Sequence, residues 1–126
     1  MSDFILDASA ILAAIFHEPG ERMVESVLDR SAVSRINVTE VLTKLIERGS
    51  SIDDAIETVD GLNISVIEFD ENQSRENASL RSVTRHLGLS LGDRACIALA
   101  IRENAVAVTA DRHWKDLTVC SIQLIR

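Results

Sequence analysis

Short apolar runs alternate along this chain with longer stretches in which apolar residues recur at helical spacing. Phe4, Ile5 and Leu6 form a run read as a buried strand ending at Asp7. Ala8, Ile11, Leu12, Ile15 and Phe16 then recur every three or four residues, predicting a helix that Pro19-Gly20 ends. Met23, Val24, Val27 and Leu28 mark a second helix, and residues 32–35 fit a short strand. Val38, Val41, Leu42, Leu45 and Ile46 make the stripe of a third helix, expected to be capped by Asn37 and to stop at Gly49. Residues 51–54 carry the capping-box pattern of a fourth helix. Residues 64–69 are rich in β-branched side chains and read as a strand. Asp70 with Gln73 opens a polar helix running to about His86. Past Gly88, Ser90 caps a last helix whose segment 95–101 is almost wholly apolar and therefore predicted to be buried. A strand over 105–108, a loop over 109–116 and a strand over 119–125 complete the chain. Strands alternating with helices predict an α/β fold, a mostly parallel central sheet flanked by helices on both faces.

Composition refines this picture. The 126 residues suit a single domain spanning 1–126. Aromatic residues are only 3% of the chain, so Ile, Leu, Val and Ala must build the core, which favours helices laid on a sheet. The first residues hold no basic leader, and Asp7 interrupts the only early apolar run, so neither a signal peptide nor a membrane span is expected. Cys96 and Cys120 lie in apolar stretches without metal-ligand spacing and read as buried, reduced thiols of a cytoplasmic protein. The formal charge of −7 argues against a generic nucleic-acid-binding module, which needs a basic patch. It argues less against a nuclease in which cations and a local basic rim meet the phosphates. No glycine-rich phosphate loop and no Ser/His/Asp or Cys/His nucleophile set is present. His17, His86 and His113 are scattered and read as surface residues, and Trp114 is expected to pack its loop against the core.

Four acids carry the chemistry: Asp7, Glu40, Asp93 and Asp111. Each also has a local explanation. Asp7 stands at a helix N-cap, Glu40 and Asp93 stand three residues after a capping residue, and Asp111 follows a strand where an Asx turn would form. An N-cap is worth about 1 kcal/mol, enough to account for any one of them. Taken together they share a location, because ligands of an open parallel sheet bind outside the carboxyl ends of its strands. Asp7 and Asp111 leave two such ends, while Glu40 and Asp93 occupy first turns of helices that begin at the same edge. Clustered carboxylates repel unless a cation neutralises them. Oxygen-only ligands suit Mg²⁺ or Mn²⁺ rather than zinc, bound as one ion or two.

The segments Ile5-Leu6-Asp7-Ala8-Ser9-Ala10, Asn37-Val38-Thr39-Glu40-Val41, Leu89-Ser90-Leu91-Gly92-Asp93 and Thr109-Ala110-Asp111-Arg112 together resemble the PIN-domain nucleases. They are most similar to the VapC-type toxins of bacterial and archaeal toxin–antitoxin pairs. No single block is specific, but the four occur in order across essentially the whole chain. The resemblance implies a metal-dependent endoribonuclease that hydrolyses RNA phosphodiester bonds, active with Mg²⁺ (or Mn²⁺). It further implies a homodimer restrained by a cognate antitoxin protein. Asp7, Glu40, Asp93 and Asp111 match the family's metal-binding, catalytic acids. Thr109 matches a hydroxyl residue just before the last acid and Ser9 a small polar residue beside the first, both able to orient ligands by hydrogen bonds. Asn37 is similar to a polar residue near the site, although helix capping explains it as well. Asp116 lies where some members carry a further acid and otherwise reads as a solvated loop residue. Arg94 and Arg112 follow proposed ligands, where they either meet RNA phosphates or balance local charge. Two other readings stand beside this one: a receiver-like phosphoacceptor domain, for which only Lys115 is available as the required lysine, and an inactive module that grips RNA or a partner.

Overall fold

The structure is a computed structural model and describes residues 2–126. Strand β1 (Phe4–Leu6) runs into helix α1 (Ala8–Phe16), and α2 (Glu21–Val27) leads through a 3₁₀ turn to β2 (Ser31–Ser34). Helices α3 (Arg35–Glu47) and α4 (Ile52–Asp60) precede β3 (Ser65–Ile67), and α5 (Glu71–Val83) and α6 (Leu91–Glu103) precede β4 (Val106–Thr109). After a 3₁₀ turn over Arg112–Asp116, β5 (Ile122–Leu124) ends the sheet. All four strand pairings are parallel, in the order β3-β2-β1-β4-β5. The α/β architecture expected from the sequence is therefore present, with a sheet that is parallel throughout.

Strand alternation divides the core between two faces. Leu6, Val33 and Val108 point to one face and pack with α1, α3 and α4 through residues such as Ile11, Val41 and Ala55. Ile5, Ala32 and Ala107 point to the other and meet α6 through Cys96, Ile97 and Leu99. Each of the Val, Leu and Ile side chains contributes roughly 1.5–3 kcal/mol when fully removed from water. Helix α6 is buried from Ala95 to Ala100, as its apolar run predicted. Its alanines let it lie against β1, β2, β4, α3 and α5 at once. Among the described residues no helix is long and apolar enough to cross a membrane.

Several boundaries differ from the sequence reading, among them the strand expected over 64–69, which is confined to Ser65–Ile67. Ser34, not Asn37, caps α3: its side chain accepts from the Ile36 N–H, and the helix starts at Arg35. The strand β2 runs straight into that cap, so no loop separates them and Asn37 is carried inside the helix, fully buried. The polar helix stops at Val83 and a 3₁₀ turn over Arg85–Leu87 follows, closed by Gly88 at φ 61°. The last strand is confined to Ile122–Leu124, because it is an edge strand paired only with the short β4.

Trp114 is fully buried and packs the 3₁₀ turn against the α6 face, as expected. Its Nε1–H has no hydrogen-bond acceptor among the described residues. Replacing Trp114 by Phe leaves a small void but removes an orphan donor that costs about 1–3 kcal/mol when buried. The two effects oppose, so Trp114→Phe is expected to shift the free energy of urea unfolding by no more than about 1.5 kcal/mol.

The winding places the site. From central β1 the chain moves outward through β2 and β3, then returns through α5 and α6 to β4 on the opposite side of β1. The switch point, where an open sheet of this kind forms its crevice, thus lies between the carboxyl ends of β1 and β4. Asp7 and Thr109 sit there, tied by the Asp7 N–H donating to Val108 O at 2.9 Å. Receiver domains order their strands 2-1-3-4-5, so the order seen here separates this chain from them.

Candidate active site at the switch point

Asp7 occupies the N-cap position of α1, yet its carboxylate caps nothing. Its Oδ2 instead accepts the Ser9 hydroxyl at 2.6 Å and the Thr109 hydroxyl at 2.9 Å. The two hydroxyls lie 3.2 Å apart, and each also accepts a backbone N–H from the loop after β4: Ala110 N to Ser9 at 2.9 Å and Asp111 N to Thr109 at 3.0 Å. The network locks the end of β1 to the end of β4 and leaves Asp7 Oδ1 without a donor among the described residues. Burial raises the Asp7 carboxyl from 3.8 to about 6; the two hydroxyl bonds oppose this, and the charges of Asp93 and Glu40 add to it.

Glu40 is not part of a capping box, because α3 begins five residues earlier at Arg35. It stands one turn beyond Asn37, whose Nδ2 donates to Glu40 Oε1 at 2.7 Å and to the Gly92 carbonyl at 3.0 Å. The residue is exposed overall, but its carboxylate lies against Gly92 of α6. Desolvation raises its carboxyl above the ordinary value, the Asn37 bond lowers it and the charge of Asp93 raises it further.

For the other two acids the local explanations hold. Asp93 completes a capping box with Ser90: the Ser90 N–H donates to Asp93 Oδ2 at 3.0 Å, and the Asp93 N–H to Ser90 Oγ at 3.1 Å. Asp111 forms the Asx turn, its Oδ1 accepting the His113 N–H at 2.9 Å and lying 3.0 Å from His113 Nδ1. His113 was read as a surface residue and is largely exposed, but its bond to Asp111 was not foreseen.

A common pattern emerges. Each of the four acids has one oxygen engaged by a protein donor, and the other (Asp7 Oδ1, Glu40 Oε2, Asp93 Oδ1, Asp111 Oδ2) has none among the described residues. None is paired with Lys or Arg there. The charges of Glu40 and Asp93 reach Asp7, and that of Asp93 reaches Glu40, whereas Asp111 is linked to Asp7 only through Thr109. Among the described residues no three His, Cys, Asp or Glu side chains enclose a single point as now oriented. The donor set nevertheless fits a hard divalent cation in element, charge and free valence: all oxygen, anionic, one open oxygen apiece.

Around the acids, Arg94 is half-exposed, its Nε donating to Ser90 O at 3.4 Å, and Arg112 is exposed; neither is ion-paired among the described residues. Asp116 is exposed and lines a small cleft with Val83, Thr84, His86 and Leu87, a lining that includes none of the four acids. Both thiols are free; Cys96 is buried as expected, whereas Cys120 is only partly buried, and desolvation pushes Cys120 up to about 11 and Cys96 well above its ordinary value, which disfavours the thiolate.

Fold and crevice together define an α/β protein with a buried, hydroxyl-held carboxylate, Asp7, at its switch point. Residues 4–119 match the PIN domain family, and the chain belongs to that family, as the resemblance of its motifs implied. The structure is similar to that of a DNA-bound VapBC from Salmonella typhimurium, at TM-score 0.78 and 18% identity over 100% of both chains. It is similar to FitAcB from Neisseria gonorrhoeae, at TM-score 0.75 and 19% identity over 97% of each chain. A third is VapBC-1 from nontypeable Haemophilus influenzae, at TM-score 0.73 and 17% identity over 97% of each. Likeness at these identities is one of fold. No curated protein matches the chain.

Proposed function

We propose that this PIN domain is a metal-dependent endoribonuclease and the toxin of a toxin–antitoxin pair. The observation that carries the reading is Asp7, a buried carboxylate with no basic partner among the described residues. Its Oδ2 is fixed by two hydroxyls and its Oδ1 is open, within electrostatic reach of Glu40 and Asp93. A protein has no structural use for ionising three such groups together, and a Mg²⁺ or Mn²⁺ ion removes the cost.

Asp7, Glu40, Asp93 and Asp111 would hold the metal. When bound, a divalent ion supplies an activated water and neutralises charge on the phosphodiester. The chain's own part is orientation. Ser9 and Thr109 fix the Asp7 carboxylate so that one oxygen faces the crevice, and Asn37 does the same for Glu40. Asp93 and Asp111 are held at rigid turns by Ser90 and His113. Arg94 and Arg112, free of ion pairs among the described residues, supply a basic rim for phosphates on a chain of net charge −7.

Further parts of the reading rest on the family and on the toxin–antitoxin complexes of similar fold: an RNA substrate, a cognate antitoxin, a homodimer and a cytoplasmic location. The test is direct. Purified protein with an RNA pool is expected to cut in Mg²⁺ or Mn²⁺ and to stop when EDTA is added, with sequenced ends carrying 5′-phosphates and 3′-hydroxyls. Cleavage that survives EDTA sinks the metal-dependent reading; metal binding without cleavage of any RNA favours the inactive binding module instead.

A further inference from the structure

Gly92 stands inside a helix, at its second residue, with an ordinary helical φ. Glycine there costs about 0.5–1 kcal/mol relative to alanine and earns nothing from backbone freedom. The surroundings supply the reason. A Cβ on Gly92 would overlap Oε1, Oε2 and Cδ of Glu40, so the Glu40 carboxylate occupies the space a side chain would fill. The same carboxylate is held by Asn37, fully buried, whose single Nδ2 group bonds both Glu40 Oε1 and the Gly92 carbonyl. Gly92 immediately precedes Asp93. One amide therefore ties an acid of α3 to the backbone that carries an acid of α6.

Resting on the proposed function, we propose that Gly92 and Asn37 are positioning residues that set the separation of the Glu40 and Asp93 carboxylates for a divalent cation. Gly92 provides the space, and Asn37 holds Glu40 in it. Asn77 makes an informative comparison. It is also buried and its Nδ2 donates to Leu91 O at 3.1 Å, pinning the same turn from α5, but it bonds no acid.

The experiment measures Mn²⁺ binding to the full chain by calorimetry, alongside urea unfolding without metal. Gly92→Ala is expected to weaken Mn²⁺ about 10-fold or more, the range for residues that orient ligands. Its unfolding midpoint should stay level or rise, since alanine favours the helix. Asn37→Asp is expected to weaken Mn²⁺ similarly, whereas Asn77→Ala should lower stability and leave Mn²⁺ affinity within about twofold. Shortening the acid relieves the overlap, so Gly92→Ala with Glu40→Asp should bind no more weakly than Gly92→Ala alone. Equal Mn²⁺ affinity in Gly92→Ala and the unaltered chain overturns the proposal, as does full additivity with Glu40→Asp. If the unaltered chain binds no Mn²⁺, the functional reading fails first. The clamp is then judged without metal by the Asn37 side-chain amide resonance, which must move in Gly92→Ala in the direction it moves in Glu40→Gln; an unmoved resonance overturns it.

Discussion

Asp7→Asn is expected to reduce RNA cleavage by about 10²–10³-fold or more, the loss typical when a group that stabilises transition-state charge is removed, and at the same time to stabilise the metal-free protein at neutral pH. The second effect follows from burial. Folding raises the Asp7 carboxyl from 3.8 to about 6, so the folded chain holds this proton more tightly than the unfolded chain. The group's contribution to stability is then fully present below pH 4 and is lost as pH rises through about 6, where the folded carboxyl must ionise. Two pKa units correspond to roughly 3 kcal/mol. Asparagine never ionises, and its Oδ1 still accepts from Ser9 and Thr109, although its amide hydrogens need new partners. Urea unfolding without metal should show Asp7→Asn ahead of the unaltered chain by about 1–2 kcal/mol at pH 7.5, with the gap narrowing towards pH 4. Saturating Mg²⁺ should reverse the order, because binding only to the folded state contributes about 2.7 kcal/mol at one hundred times Kd. An Asp7→Asn variant less stable than the unaltered chain at pH 7.5 would mean that Asp7 is kept for local bonding.

The second large effect concerns Asp93, where a structural and a chemical role coincide. Its Oδ2 accepts the Ser90 N–H in the capping box, and its Oδ1 is open. Asp93→Asn keeps an oxygen for the cap but removes the charge; Asp93→Ala removes both. Cleavage should fall by about 10²-fold or more in each. Stability should divide them, Asp93→Ala losing about 1 kcal/mol and Asp93→Asn only a few tenths. Retained cleavage in Asp93→Asn would reduce Asp93 to a cap.

The four acids illustrate how far a sequence carries such a reading. Capping motifs are local in sequence, so Ser90 with Asp93 and the Asx turn at Asp111 were legible and are present. The same local rule misplaced the start of α3 by assigning its cap to Asn37. The strand β2 ends in Ser34, a residue able to cap without an intervening loop, and three positions of error turned a buried clamp into a cap. Glu40 then read as a capping-box acid, whereas its carboxylate accepts from the Asn37 amide one turn earlier in the same helix. The i, i+3 spacing of Asn37 and Glu40 was the signal available. Nothing in the sequence marked Gly92, because its reason is a carboxylate 52 residues away.

The sequence by itself determined the α/β class, the order of strands and helices, the buried α6 and the family of the chain. These follow from apolar periodicity and short-range motifs, which depend on neighbours within a few residues. Only the tertiary structure decided which acids have a structural excuse. Asp7 and Glu40 lose theirs because their donors, Thr109 across the sheet and the Asn37 amide shared with Gly92, define which oxygen is held and which is open. Contacts of that kind join residues far apart in the chain, and only the parallel winding around β1 brings them to one edge.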